Sequence, residues 1–282
     1  MKQNGKKQFK ILKASGYPEP FSKDKLTLSL ERTGLPRKEC EHICEKVSKE
    51  ISEGSKTRDI YNKALKLVKQ SSPIATVHYS LKKSLFELGP EGHHFETFVS
   101  KYFEEIGYKT ETRKIIRGKF VSHEIDVLAE LNGKEHFTEC KFHNHAGLKN
   151  DVKISLYVKA RWDDLKDGPQ GKKLKNFSIA SNTAFTDDAI TYANGTGLHL
   201  LGINMPEGDS FLDKIKKLKL YPITSLRYLP KTYKKIFLNN NIILARDVTS
   251  NAHRLLDYGM NQNDINIVIK EIEILTLRKS WK

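Results

Sequence analysis

His123-Glu124-Ile125-Asp126-Val127-Leu128-Ala129-Glu130-Leu131-Asn132-Gly133-Lys134-Glu135-His136-Phe137-Thr138-Glu139-Cys140-Lys141 is the stretch that decides the fold. Two strand-like runs flank Asn132-Gly133, a pair that tolerates the positive φ angles of a two-residue type I′ turn. Such a turn sets Leu131 opposite Lys134 and, counting back along both strands, Asp126 opposite Glu139. Facing residues hold their Cβ atoms roughly 4.5–5.5 Å apart on one side of a sheet, and two like charges there are destabilising. A hard divalent cation with oxygen ligands relieves that conflict. Lys141 lies two residues beyond Glu139 and so shares its face. Asp126 and Glu139 are therefore the expected metal ligands for Mg²⁺ or Mn²⁺. Lys141 would orient a water or balance developing charge, the parts that phosphodiester hydrolysis needs. The competing reading, a solvated face with a Glu139–Lys141 salt bridge, explains Lys141 but not the opposition of Asp126 and Glu139.

Working outward, Phe95 to Ile106 has helical periodicity, Tyr108 to Ile116 reads as a strand before the hairpin, and Asp151 to Leu165 as a helix after it. Asn176 to Ser181 and Leu198 to Ile203 read as strands around a helix, Asp187 to Ala193. The order α-β-β-β-α-β-α-β gives an α/β core with a mixed sheet. The segment before Gly89-Pro90 reads as mainly helical. Phe9 to Lys13 is a short strand, Ser22 caps a helix through Leu30, Arg37 to Ile51 follows, Thr57 caps a third helix, and Ile74 to Leu88 is a fourth. From Phe211 onward the chain is basic, with short helices broken at Asn239-Asn240-Asn241 and Tyr258-Gly259. Three domains are expected: 1–88, 89–210 and 211–282.

Among 282 residues the formal charge is +15, a surplus that favours a polyanionic partner because Lys and Arg displace counterions from phosphates. No apolar run is long enough to span a bilayer, so no membrane is expected. The start, MKQNGKKQFK, is basic without an apolar core, so a cytoplasmic rather than secreted protein is expected. Three cysteines make no disulfide framework, and Cys40 and Cys44 on one helical face read as reduced thiols. His136, His143 and His145 with Cys140 invite a zinc reading, but their spacing matches no closed structural site, and Glu139 and Cys140 must also point to opposite faces.

Asp126 followed by Glu139-Cys140-Lys141 resembles the D…ExK signature of the PD-(D/E)xK nucleases. Gly92-His93-His94-Phe95-Glu96 is similar to the opening helix of their Mrr-like restriction-endonuclease branch. Ser181-Asn182-Thr183-Ala184-Phe185-Thr186, with Ala189 and Tyr192-Ala193, is similar to a later block of that branch. The resemblance implies a metal-dependent DNA endonuclease of restriction type with Glu96 as an auxiliary acid near the metal. Cutting both strands often requires two such sites, so a homodimer or higher oligomer is expected. The chain departs from the branch at Glu139, where Gln is common, and at His123-Glu124, where a Gly is common.

Residues 9 to 88 resemble the ATP-cone, a regulatory nucleotide-binding module, through Ile11-Leu12-Lys13, Gly16, Glu19, Phe21, Lys25-Leu26, Thr57-Arg58-Asp59-Ile60 and Tyr79 to Lys83. That resemblance implies ATP or dATP as an effector, with Lys13, Lys25 and Lys83 meeting phosphates and Glu19 and Thr57 near the base or sugar. The family commonly carries Lys-Arg-Asp-Gly where this chain has Lys13-Ala14-Ser15-Gly16. The stretch Ser225 to Leu275 resembles helix–hairpin–helix DNA-binding modules, which implies backbone contacts from Lys231, Lys234, Lys235 and Arg254. A helical cap with a solvated basic face reads the same residues equally well. Two other functions stay open: a repair or junction-resolving nuclease, and a nucleotide-responsive DNA-binding regulator without cleavage.

Overall fold

The computed structural model describes residues 9–13 and 16–277. The chain divides into two compact units, Met1–Leu81 and Lys82–Lys282.

In the first unit β1 (Lys10–Leu12) pairs antiparallel with β2 (Pro18–Pro20), followed by α1 (Lys23–Glu31), α2 (Arg37–Lys49), α3 (Thr57–Ser71) and α4 (Pro73–Phe86), whose last turn belongs to the second unit. Ser22 caps α1 as expected, its hydroxyl accepting from the Lys25 amide. Thr57 is not a cap. It is the first residue of α3, and its hydroxyl donates to the Leu12 carbonyl at 2.7 Å, tying the helix start to β1. Helical spacing puts Leu26 and Leu30 of α1, Cys40, Ile43, Cys44 and Val47 of α2, and Ile60, Ala64 and Val68 of α3 into one buried cluster.

The second unit is α/β around a mixed five-stranded sheet. Its elements are α5 (His93–Glu105), β3 (Lys109–Arg117), β4 (Ser122–Leu131), β5 (Lys134–Lys141), β6 (Lys149–Asn150), α6 (Val152–Lys166), β7 (Leu174–Ser181), β8 (Ala184–Phe185), α7 (Asp187–Thr196) and β9 (His199–Leu201). The sheet order is β3-β4-β5-β7-β9, antiparallel across β3, β4 and β5 and parallel from β5 to β9. β6 and β8 form a separate two-stranded pair too short to show a period in sequence. Ile125, Leu128, Phe137, Phe177 and Ile179 of the sheet pack with Val158, Trp162 and Leu165 of α6 and Ala189 and Ala193 of α7.

The basic tail comprises α8 (Phe211–Leu218), α9 (Lys231–Asn239), α10 (Asp247–Ser250), α11 (Ala252–Asp257) and α12 (Gln262–Thr276). It lies in the same compact unit as the sheet, although sequence reading sets 211–282 apart. The Phe211 ring sits 5.7–6.1 Å from the rings of Tyr102, Phe98 and Phe95 on α5, so an aromatic cluster joins the two. Among the described residues no helix is long and apolar enough to cross a membrane.

Candidate active site

The hairpin forms in the register that the turn dictates. Asn132 and Gly133 take φ of 53° and 75°, and Leu131 faces Lys134 with the pairing continuing to Val127 opposite Thr138. Asp126 and Glu139 are the next pair in that register, but the ladder stops before them. On the other side of β4 the pairing with β3 runs from Thr112–Val127 straight to Lys114–Ile125, stepping over Arg113 and Asp126. Arg113 has φ of 53°, a left-handed conformation that costs a residue with a Cβ and collects at functional sites. Asp126 thus sits where the sheet opens on both sides, and its carboxylate accepts instead from the Cys140 amide at 2.6 Å.

Glu139 is buried, 4% exposed, with one carboxylate oxygen 2.6 Å from the Lys141 ammonium and the other paired with the Arg161 guanidinium. Strand period two delivers Lys141, as the sequence implies. Arg161 comes from α6, and its other terminal nitrogen donates to the Glu124 carbonyl. It lies over the rings of Phe137 and Tyr157 at 5.2 and 5.3 Å. Sequence reasoning did not find Arg161; within α6 it reads as one more polar position.

Glu96, on the first turn of α5, is brought to the same place. Its Oε2 has no hydrogen-bond partner among the described residues, and the Arg113 guanidinium lies 4.0 Å away. Burial raises its pKa. Asp126 is pushed up to about 7, first by burial and then by the neighbouring Glu139 carboxylate. Burial also raises the Cys140 thiol well above its ordinary range, which leaves it a poor ligand.

Among the described residues no three His, Cys, Asp or Glu side chains converge as an ion-holding group. Asp126 and Glu139 are instead turned to the Cys140 amide and to Lys141 and Arg161. In chemistry the set fits a hard divalent cation: buried carboxylate oxygens, one of them orphaned on Glu96, and an aspartate whose charge is short of compensation.

The block Ser181 to Thr186 holds the end of β5. The Ser181 hydroxyl donates to the Lys141 carbonyl at 2.8 Å. The Asn182 side chain accepts from the His143 amide and donates to its carbonyl, both at 2.9 Å. Asn150 is buried, and its amide nitrogen donates to Ser181, Thr183 and the Ala184 carbonyl while its oxygen meets the His143 ring at 2.9 Å. These residues fix the backbone that carries Lys141 and leave the acids to the sheet.

The other expected site residues divide. Lys13 and Lys25 both pair with Glu19, beside the Thr57–Leu12 contact, so four of the five expected nucleotide residues gather in the first unit. Lys83 falls in the second unit, where it pairs with Glu87 at 3.7 Å. The two lysines hold Glu19 down at about 2. Residues 14 and 15, where the ATP-cone resemblance leads one to expect an arginine, lie outside the described residues. In the tail Lys231 and Lys235 are exposed, but Lys234 turns inward, its ammonium donating to the Thr224 carbonyl at 3.1 Å with burial lowering its pKa. Arg254 is half-buried and donates to Asn240 at 2.9 Å.

Residues 221–276 match the family model described as AF1548-like, C-terminal. An uncharacterized protein of Archaeoglobus fulgidus is 32% identical over 177 residues, which are 61% of this chain and 97% of that protein. A solved structure, that of the protein of unknown function AF1548, matches with a TM-score of 0.54 and 30% identity, covering 66% of this chain and 98% of its own.

Proposed function

Starting from a chain that belongs to the AF1548-like family, we propose that its second unit is a PD-(D/E)xK nuclease core of the Mrr-like kind that hydrolyses DNA phosphodiester bonds with a divalent metal. The observation that carries this reading is Asp126 at a double interruption of the sheet, mostly buried and raised to about 7, beside the Glu139–Lys141 pair. A scaffold gains nothing from opening its ladder around an under-compensated acid.

Mg²⁺ or Mn²⁺ bound by Asp126 and Glu139 would polarise the scissile phosphate and supply an attacking water at neutral pH. The chain's own groups supply the rest. Lys141, fixed by the Ser181 bond to its carbonyl, orients the water or balances the charge that builds on the phosphate as the bridging P–O bond breaks. Glu96 stands on α5 as a second acid facing the same opening. Arg161 holds the far oxygen of Glu139, which limits that carboxylate to one orientation. The first unit would bind ATP or dATP as an effector, and the exposed Lys231 and Lys235 of the tail would contact the DNA backbone.

The test is cleavage of plain and methylated plasmid by the full chain with Mg²⁺, Mn²⁺ or EDTA, alongside Asp126→Ala. Metal-dependent cutting that the substitution removes is the expected result. Tight DNA binding with no cutting under any metal or nucleotide would favour the second reading, a nucleotide-responsive DNA-binding regulator. The observation on that side is Glu139, both of whose oxygens are already held by Lys141 and Arg161.

A further inference from the structure

The loop between β3 and β4, residues 118–121, exposes apolar surface in an unusual way. Phe120 is 70% exposed and Val121 54%, with Ile115 of β3 at 71%. A mobile loop could fold such side chains down, but this one is pinned. Its four amides all point inward: Gly118 donates to the Val121 carbonyl at 2.8 Å, Lys119 to the Asp164 carbonyl at 2.9 Å, and Phe120 and Val121 to the two oxygens of the Asp164 carboxylate at 2.8 and 3.3 Å. His123 completes the set at 2.7 Å from the same carboxylate. A Cβ on Gly118 would meet Asp164 and stand 2.8 Å from the Val121 carbonyl oxygen, so this approach needs glycine. A tightly built loop that drives an aromatic ring into water implies a partner for the ring.

The surroundings say what partner. The turn after α6 abuts the loop, since a Cβ on Gly168 would lie 2.7 Å from the Arg117 carbonyl oxygen. Exposed cations therefore flank Phe120: Arg117 and Lys119 from the loop side, and Lys166 from the end of α6. The acids there are already engaged, Asp163 by Lys159 and Asp167 by Lys119, whereas no ion pair holds Arg117 or Lys166 among the described residues. Lys119 also lies over the Phe120 ring, 5.1 Å from its centre. An aromatic ring among unpaired cations matches bases flanked by phosphates. β3 is an edge of the sheet and carries Arg113 beside the acids. From Arg113 to Arg117 the strand spans roughly 13 Å, about four base-pair steps of a duplex.

We propose that the β3–β4 loop is a DNA-engaging element in which Phe120 stacks on or wedges between bases of a duplex lying along β3, while Arg117, Lys119 and Lys166 hold its phosphates. The inference rests on DNA being the substrate, but its test does not depend on cleavage. Full-length protein in EDTA is titrated onto a duplex carrying 2-aminopurine, with anisotropy reporting affinity and fluorescence reporting unstacking. Wild type binds and brightens the probe. Phe120→Ala loses the brightening and binds about tenfold more weakly, with an unchanged salt slope. Phe120→Trp restores both signals. Lys119→Ala keeps the brightening and lowers the salt slope by about one. Failure of wild type to bind any duplex overturns the DNA reading itself. Equal binding and brightening by wild type and Phe120→Ala overturns this inference alone. So does loss of self-association in Phe120→Ala, seen by sedimentation with DNA affinity intact, because the ring would then serve a second copy of the chain.

Discussion

Glu19 and Asp126 are two carboxylates that the fold treats in opposite ways. Glu19 stands at the surface of the first unit between Lys13 and Lys25, whose hydrogen bonds hold it at about 2. Asp126 is mostly buried in the second unit beside Glu139, and burial and that neighbour push it up to about 7. One acid has more positive charge than it needs, and the other has less. A group of the first kind has no use for a cation, whereas a group of the second kind creates a place for one. The same reasoning sorts Glu96, buried with an orphaned oxygen, with Asp126.

The largest expected effect removes the under-compensated acid. Asp126→Ala or Lys141→Ala should lower metal-dependent cleavage by at least about 10³-fold, while circular dichroism and DNA affinity stay near wild type. Glu19→Ala, the matched change at the satisfied acid, should leave the rate of cutting without nucleotide unaltered. Normal cutting by either site variant would end the contrast. Next in size is Arg161→Met. It leaves the buried Glu139 without one of its two partners, a break that costs about 3–5 kcal/mol and shows as a lower Tm. Lys25→Met removes an exposed pair and should leave Tm where it is. Equal Tm values for the two variants would show that Arg161 is not the interior tie described above.

These contrasts were only partly legible in sequence. Asn132-Gly133 gave away the hairpin because a local turn sets the register, and Lys141 followed by period two. The opening around Asp126 was hidden, since nothing in Thr112-Arg113-Lys114 marks a left-handed residue in mid-strand. Arg161 was hidden for a different reason: it reaches Glu139 across the fold from α6, a contact that no local pattern encodes. Ser181 to Thr186 was visible as a block, yet its work of bracing Lys141 and His143 emerges only when β5 and β7 run parallel. Phe211 read as the first residue of a separate tail until its ring was seen among Phe95, Phe98 and Tyr102. Thr57 had the right residue type for a cap, and the Leu12 carbonyl took its hydroxyl first.

Whether burial shifts a group strongly with no carboxylate beside it, unlike Asp126, is testable within the same sheet. His136 on β5 is lowered from 6.5 to about 4, mainly by burial and then by His199. Its ring meets the Ser178 hydroxyl at 2.8 Å, and Ser178 meets Thr138 at the same distance, with the Phe103 ring tilted against it 5.1 Å away. No carboxylate contributes. The unfolded chain takes up this proton near pH 6.5 and the folded chain only near 4. Stability is therefore unaffected above pH 6.5 and falls as the pH drops to about 4, by about 3 kcal/mol in all. Denaturant titrations from pH 7.5 to 4 should show the fall, and His136→Gln should flatten it. An unchanged profile in the variant would move the cause elsewhere.

The smallest effect concerns Glu19 itself. If Lys13 and Lys25 meet nucleotide phosphates, Glu19 occupies their ammonium groups when no nucleotide is there, so phosphate must compete with it. Glu19→Gln removes that competitor, and ATP or dATP affinity should rise about twofold to fivefold, the scale of exposed ion pairs, in calorimetry on the full chain. If Glu19 instead receives a ribose hydroxyl, the same change weakens binding, because the amide accepts less strongly than a carboxylate. Lys25→Ala weakens binding under either arrangement. The absence of heat at millimolar nucleotide in both wild type and Glu19→Gln would reduce the Lys13–Glu19–Lys25 cluster to a surface tie. The contrast with Asp126 would then lie between a structural acid and a working one.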